Sequence, residues 1–305
     1  MSTISLIVPC YNEEKNIEPF YNAILEVFKD LEEDFELVFV NDGSKDDTLF
    51  KIKEMNNKDK RVKGVSFARN FGKEAGLFAG IRNVTGDAAV ILDADLQHPP
   101  VVIKEMISKW KEGFEVIEGV KTDRGKESLI HKLFCKVFYG MISKAVGMNM
   151  KNSSDYKLLD KKVISELAKL KERNTFFRAL SFWVGFKKTT VYYEVAERNA
   201  GESKWSTKSL IKYAINNVIC FSYAPLHIVT TLGVLFLLIA AGVCIDAVIS
   251  YFRGVAANGF PTLVILSLVG FGAVMLSLGI IGVYIAQIYD EIKGRPQYII
   301  GEKIE

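Results

Sequence analysis

Cysteine is scarce. The four thiols, Cys10, Cys135, Cys220 and Cys244, lie far apart, make no CxxC pair and sit mostly among apolar neighbours. That argues against a disulfide framework or a zinc site and leaves reduced, buried thiols. No charge of one sign dominates either. Against 39 basic side chains stand 36 acidic ones, for a formal net charge of +3, so nucleic acid binding is not a bulk property and any basic function is local. The sequence has no GxGxxG after a strand, which counts against a dinucleotide dehydrogenase. Internal repeats and low-complexity stretches are missing too. The N-terminal MSTISLIVPCYNEE has no basic n-region, and its short apolar run ends at Pro9. It reads as a first strand rather than a signal peptide, so this end of the chain is expected to stay in the cytoplasm.

What is present is a chain of 305 residues, 49% hydrophobic and 25% charged, enough for one large soluble domain and something smaller. Up to about residue 120, short β-branched runs alternate with amphipathic segments. Strands are expected at 4–9, 35–41, 62–67, 88–93 and 114–119, with helical spacing at 14–29 and 72–84, and with Pro99 and Pro100 in the first turn of a further helix. This is the α/β pattern of a mostly parallel, Rossmann-like sheet covered by helices.

The composition changes after Tyr223. No charged side chain occurs from Ile228 to Ile245 or from Gly254 to Tyr289, and a turn cluster at Asn258, Gly259 and Pro261 interrupts the second run. Two transmembrane helices are expected, because a buried helix pair rarely needs such length. Lys204, Lys208 and Lys212 precede the first span, Lys293, Arg295 and Lys303 follow the second, and Arg253 alone marks the loop. The imbalance puts both termini in the cytoplasm. Segments 128–147 and 207–223 read as amphipathic interfacial helices with apolar faces and lysine-rich flanks, although packing against a protein core would give the same pattern. The division expected is 1–125 as an α/β core, 126–225 as a region carrying the amphipathic interfacial helices, 226–290 as a two-helix membrane hairpin and 291–305 as a cytoplasmic tail.

Three polar motifs follow expected strands. PCYNEE (9–14) lies at the end of the first, where ligands bind in open α/β sheets, though Asn12 and Glu13 would serve equally as helix caps. VNDGSKDDT (40–48) follows the second. Its Asp42 and Gly43 suit a turn and Asp46 or Asp47 a cap, or else Asp42 accepts a hydrogen bond from a nucleotide base. AAVILDADLQHPP (88–100) is the strongest, because its apolar run ends in Asp93 and Asp95, spaced to project from one side. Two such carboxylates repel unless a divalent cation, Mg2+ or Mn2+, joins them, and that cation would also grip a diphosphate leaving group. Gln97 is placed to complete the metal shell, whereas His98 reads as a bystander.

In this order, PCYNEE, VNDGSKDDT, RNFGKEAGL and DADLQHPP resemble the family 2 glycosyltransferases of GT-A fold. NSSDYKLLDKK (152–162), ERNAGESKWS (197–206) and the two C-terminal spans are similar to the polyprenyl-phosphate glycosyltransferases, which include dolichyl-phosphate mannose synthases and bactoprenol glucosyltransferases. The resemblance covers essentially the whole chain and implies an inverting transfer. At the matching positions Pro9, Tyr11, Glu13 and Asp42 would hold the nucleotide, Asp93 the donor ribose or sugar, and Asp95 with Gln97 the metal. His98 departs from an acidic residue expected in many relatives. The resemblance makes 1–125 the nucleotide-sugar and metal-binding core and 126–225 the acceptor-side region; a polyprenyl-phosphate acceptor explains the membrane features, and Lys121, Arg124, Lys126, His131 and Lys132 are candidates for its phosphate, Arg124 foremost for its forked geometry. Asp155 matches a position proposed as a catalytic base, although a phosphate monoester is already largely ionised at neutral pH. Lys204 and Trp205 lie on a loop placed to close over the donor.

The expected reaction is transfer of a hexose or N-acetylhexosamine from a UDP-sugar to undecaprenyl phosphate, with glucose as first choice and GDP-mannose as the alternative donor. A processive polymer synthase would carry QxxRW and more spans, and both are missing. A non-catalytic scaffold or nucleotide-sugar sensor is the rival from another class. Expected partners are the donor, the acceptor lipid and the membrane. A flippase for the lipid-linked sugar stays open, as does a homo-oligomer, since Gly270, Gly272, Gly279 and Gly282 would permit close helix packing.

Overall fold

The computed structural model describes residues 2–122, 140, 143, 153–173, 175–194, 219, 222–254 and 259–305. In chain order these form β1 (Thr3–Cys10), α1 (Ile17–Phe28), β2 (Asp34–Asn41), α2 (Thr48–Lys58), β3 (Val62–Phe67), α3 (Lys73–Asn83), β4 (Ala88–Ile91), α4 (Val102–Lys111), β5 (Val116–Lys121), β6 (Lys157–Asp160), α5 (Lys161–Lys169), α6 (Phe177–Trp183), β7 (Lys188–Tyr193), α7 (Ala224–Phe252), α8 (Phe260–Ile292) and β8 (Ile300–Ile304). They belong to two units, one of residues 1–210 with 296–305 and one of 211–295.

The first unit is built on one sheet of order β7-β5-β6-β4-β1-β2-β3-β8. β2 shows why it is covered on both faces. Its side chains alternate, so Phe35, Leu37 and Phe39 join Ile17, Phe20 and Ile24 of α1 and Ile52 of α2 in one core. Val38 and Val40 face the other way, onto Val65, Phe67 and Ala75 and Ala79 of α3. Strands β1 to β4 are mutually parallel, as helical crossovers require. The order reverses at β1, which has β2 on one side and β4 on the other. Such a switch point opens a crevice at the carboxyl ends of the strands.

Three strands go beyond the sequence expectation. β6 lies antiparallel between β4 and β5, and β7 runs parallel to β5. Part of the expected acceptor-side region therefore completes the sheet of the core. β8 comes from the expected tail and pairs antiparallel with β3, its backbone closing an otherwise open edge. Tyr298, just before it, stacks on Phe67 at 4.9 Å. Boundaries also differ. β4 ends at Ile91, two residues short of Asp93, and β5 begins at Val116 after a turn at Gly113, whose φ is +89°. Pro99 and Pro100 lie just ahead of α4, in the turn that Val101 caps.

The second unit contains two helices, α7 of 29 and α8 of 33 residues. At 1.5 Å per residue each exceeds the ~30 Å of a bilayer's hydrocarbon core. Pro225 and Pro261 occupy their first turns, where a missing N–H costs nothing. The spans Pro225–Phe252 and Leu263–Ile292 bury none of their apolar windows within the protein. Lipid is the environment that suits such surfaces, so the chain associates with membranes. The expected interfacial segments 128–147 and 207–223 fall almost wholly outside the described residues.

Candidate active site

The loops after β1 and β2 are laced together. Asn12 N donates to Ser44 Oγ at 2.9 Å, Glu13 N to Thr48 Oγ1 at 2.8 Å and Glu14 N to Asp46 Oδ2 at 3.2 Å. In return Lys45 N donates to Asn12 Oδ1 at 2.9 Å and Asp47 N to Glu14 Oε2 at 3.0 Å. Asn12 and Asp46 thus crosslink the two strand ends into one wall, while Asp46 Oδ1 also accepts from Thr48 N at 3.1 Å at the start of α2, in the manner of the expected cap. Asn12 sits at φ 53°, in the left-handed region where asparagine is tolerated better than most residues. Pro9 pairs with Val40 in the register of β1 and β2, and Glu13 accepts from Asn16 Nδ2 at 2.6 Å.

Asp42 is buried, and its two carboxylate oxygens accept from Phe71 N at 2.6 Å and Gly72 N at 2.9 Å. Burial raises its pKa, and the two amides only partly offset that. Gly43 follows at φ +65°, and a Cβ there would overlap the backbone of Arg69. The expected contact between Asp42 and a base would therefore use lone pairs that the loop leaves over. The same loop delivers Lys73, the first residue of α3, to the next strand end.

There Lys73 Nζ lies 2.6 Å from Asp93 Oδ1 and 3.1 Å from Asp155 Oδ2. Arg178 of α6 grips Asp155 with a fork, Nε to Oδ1 at 2.7 Å and Nη2 to Oδ2 at 3.0 Å. Charges alternate along Asp93, Lys73, Asp155 and Arg178, so each is neutralised by its neighbour. Burial opposes ionisation of Asp155, yet Arg178 and Lys73 outweigh it and hold its carboxyl well below the usual range. Asp93 is likewise lowered, against burial, by Lys73. Burial also works against the Lys73 ammonium, whose pKa the two carboxylates nonetheless raise.

Because β4 ends at Ile91, strand alternation does not govern Asp93 and Asp95. The chain turns instead through Leu96, at φ 59°, and Gln97 N donates to Asp95 Oδ1 at 3.1 Å. A branched side chain in that conformation costs on the order of 1–3 kcal/mol and marks a loop shaped for a purpose. Among the described residues no three His, Cys, Asp or Glu groups converge as a ready metal cage. One carboxylate with a neighbouring amide is nevertheless the hard-oxygen donor set of an ion that takes its other ligands from phosphate and water. Asp95 and Gln97 fit that use, and Asp93 is committed to Lys73.

His98 is buried, stacked on Tyr156 at 5.0 Å and edge-on to Tyr193 at 5.9 Å. Burial lowers its pKa, which keeps the imidazole neutral near pH 7. Among the described residues its Nδ1 has no hydrogen-bond partner, and it stands 3.9 Å from Asp93 Oδ2.

The structure thus brings together Asp93, Asp95, Gln97 and Asp155 beside the wall that carries Pro9, Tyr11, Glu13 and Asp42. Lys121 ends β5. Arg124, Lys126, His131, Lys132, Lys204 and Trp205 lie outside the described residues. Sequence reasoning missed Lys73 and Arg178. A signal existed, since both are cations in the first turn of a helix, where the macrodipole disfavours positive charge unless an anion compensates.

Comparison with known proteins agrees with this geometry. Residues 5–166 match the domain described as glycosyl transferase family 2. The chain is 41% identical to the uncharacterized glycosyltransferase YkcC of Bacillus subtilis (strain 168), over 97% of this chain and 92% of that one. It is 37% identical to the prophage bactoprenol glucosyl transferase homolog of Escherichia coli (strain K12), over 97% and 98%. Identity to the bactoprenol glucosyl transferase of Shigella phage SfII is 36%, over 97% of each. Among solved structures, mannosyl-3-phosphoglycerate synthase from Rubrobacter xylanophilus superposes with a TM-score of 0.50 at 12% identity, over 71% of this chain and 72% of that one, a likeness of fold alone. The architecture is that of the GT-A glycosyltransferases, and the chain belongs to glycosyl transferase family 2.

Proposed function

We propose that the protein transfers glucose from UDP-glucose to undecaprenyl phosphate with inversion at the anomeric carbon. The observation that carries the reading is the Asp93–Lys73–Asp155–Arg178 quartet beside the Asp95 turn, in a chain that continues into two helices long and apolar enough to span a bilayer. Near-full-length similarity to proteins named for bactoprenol glucosyl transfer supports the acceptor class and the sugar.

A lipid phosphate oxygen attacks the anomeric carbon as the bond to the donor diphosphate breaks on the opposite face, which inverts the centre. The phosphate dianion needs no base, since its second pKa is near ~6. Asp155 would be a poor base in any case, because Arg178 and Lys73 hold its carboxyl ionised far below neutrality. It serves instead to orient those two cations. Lys73 in turn fixes Asp93 for a ribose or sugar hydroxyl, and the wall of Pro9, Tyr11, Glu13 and Asp42 receives the nucleotide. Asp95 and Gln97 would hold a Mg2+ or Mn2+, which when bound stabilises charge on the departing diphosphate. Catalysis then rests on positioning and charge stabilisation.

Connectivity supports one topology. β3 and β8 share one sheet although both apolar helices lie between them in the chain. If both helices cross the bilayer, two crossings return the chain to the side it left, which favours a shared side for the catalytic domain and the C-terminus. Lys293 and Arg295 after the second span, against Arg253 alone before the turn, favour the cytoplasm for that side.

The test is sugar transfer by the purified protein from a panel of UDP- and GDP-sugars to undecaprenyl phosphate, with Mg2+, Mn2+ or a chelator. One lipid-linked product, from UDP-glucose and lost with the chelator, is expected. Transfer from GDP-mannose alone would move the assignment to a mannosyltransferase. No lipid product from folded protein would remove the acceptor.

A further inference from the structure

Behind the quartet lies a second ion pair that the chemistry above does not use. Lys157, the first residue of β6, has a completely buried side chain. Its Nζ stands 3.0 Å from Glu118 Oε1 of β5, 2.9 Å from Ser181 Oγ of α6 and 3.4 Å from Ser153 Oγ. The ring of Phe182 lies 4.3 Å from the same ammonium. Taking a lysine and a glutamate out of water is costly, and apolar residues of equal volume would often serve stability as well or better. The pair calls for a role other than stability.

Its contacts supply one. Glu118 Oε1 accepts from Ser153 Oγ at 2.7 Å and from Ser154 N at 3.1 Å, which fixes the segment leading directly into Asp155. Ser154 Oγ adds a bond to Gly119 O at 2.6 Å. On the other side, Lys157 holds Ser181, whose Oγ also donates to Arg178 O at 2.9 Å. A single buried pair therefore fastens both segments that carry the Asp155–Arg178 fork, the 153–155 segment that leads into β6 and the turn of α6 on which Arg178 stands.

We infer that Lys157 and Glu118 are positioning residues for the transfer reaction: they set the register of the Asp155–Arg178 fork, and through it the place of Lys73 and Asp93 against the donor sugar. The inference rests on the proposed transfer reaction and deepens it. It separates the residues that meet substrate from a buried pair that aims them, and it gives the fork two settings to lose, the 153–155 segment and α6.

The test uses the full-length protein and UDP-glucose with undecaprenyl phosphate. Lys157→Met with Glu118→Gln removes both charges, keeps the volume and leaves an amide oxygen for Ser154 N. With folding confirmed by the thermal transition, kcat is expected to fall about 10- to 100-fold, the scale of a misplacement near 1 Å, with the KM for UDP-glucose nearly unchanged. In an Arg178→Ala background the same pair of changes should add no further loss, because the fork they aim is already gone. A double variant with the kcat of the unchanged protein overturns the inference, as does an equal loss in the Arg178→Ala background. Should the double variant not fold, Ser181→Ala asks the same question of α6 alone: a lower kcat that disappears in the Arg178→Ala background supports the inference, and an unaltered kcat overturns it. Failure of the unchanged protein to make any lipid product would instead strike the proposed reaction.

Discussion

Leu37 of β2 and Leu237 of α7 are the same side chain in opposite surroundings, 0% and 72% exposed to the space around the protein. In the first unit the apolar surface has been removed from water by protein, sheet against helix, and each lost methylene would leave a cavity. In the second unit equally apolar helices leave their surface outside the protein. The difference lies in the solvent. One unit carries its own apolar interior and can aim side chains within it, whereas the other borrows lipid for that interior and aims almost nothing. The quartet proposed to serve the chemistry accordingly lies in the first unit, where Lys73, Asp93, Asp155 and Arg178 are held by packed elements.

That contrast can be broken in several places. The largest effect is expected from Asp95→Asn, which removes a charge from the turn proposed to hold the metal beside the donor diphosphate. Turnover should fall by about 10³-fold or more, with the thermal transition and membrane partition unchanged. Retained turnover would mean that the chemistry lies elsewhere.

Next in size, Leu37→Ala should cost the first unit about 2–5 kcal/mol, the range for a leucine deleted from a packed core. Denaturant unfolding of the purified protein measures it.

Acid offers a third probe, through Glu36. Burial pushes this carboxyl up, but hydrogen bonds from Lys63, Ser5 and Thr85 outweigh it and bring the pKa from 4.5 to about 2. A depressed carboxyl contributes stability that is present in full above its unfolded value and lost as pH falls through its folded one. Glu36 should therefore give up on the order of 3 kcal/mol between about pH 5 and pH 2. Glu36→Gln should flatten that part of the stability curve, and an unchanged slope would assign the acid sensitivity to other groups.

The smallest effect is expected from Leu237→Ala. In lipid the lost contacts are replaced by acyl chains, so a change under about 1 kcal/mol should result where the same substitution at Leu37 costs several times more. Equal penalties at the two leucines would show that α7 is buried by protein after all.

How much was legible follows the same division. The parallel half of the sheet declared itself because β1 to β4 are short apolar segments rich in β-branched or aromatic residues and bounded by polar motifs, and the two long apolar helices did so by length and lack of charge. β6, β7 and β8 were not legible. KLLD (157–160) is four residues long and looks apolar only at Leu158 and Leu159, and its place between β4 and β5 depends on antiparallel backbone pairing that leaves no period to read. β8 is an edge strand with glycine and charges in its middle, joined by backbone bonds to β3. Within the site, Asp93, Asp95 and Asp155 stood out in the sequence by their motifs. Lys73 and Arg178, which meet Asp93 and Asp155, and Lys157, which meets Glu118, did not, because a basic residue in a helical or strand segment reads as a solvated surface residue until the fold shows it turned inward.

The most direct test of the account is the anomeric configuration of the sugar in the lipid product made from UDP-glucose, whose glucose is α-linked, and undecaprenyl phosphate. The coupling constant of the anomeric proton reads it. A β-linked glucosyl phosphate is expected, as a single in-line displacement requires. An α-linked product would contradict the account, since it would demand a second displacement and a nucleophile on the protein that the quartet, with Asp155 locked between Lys73 and Arg178, does not provide.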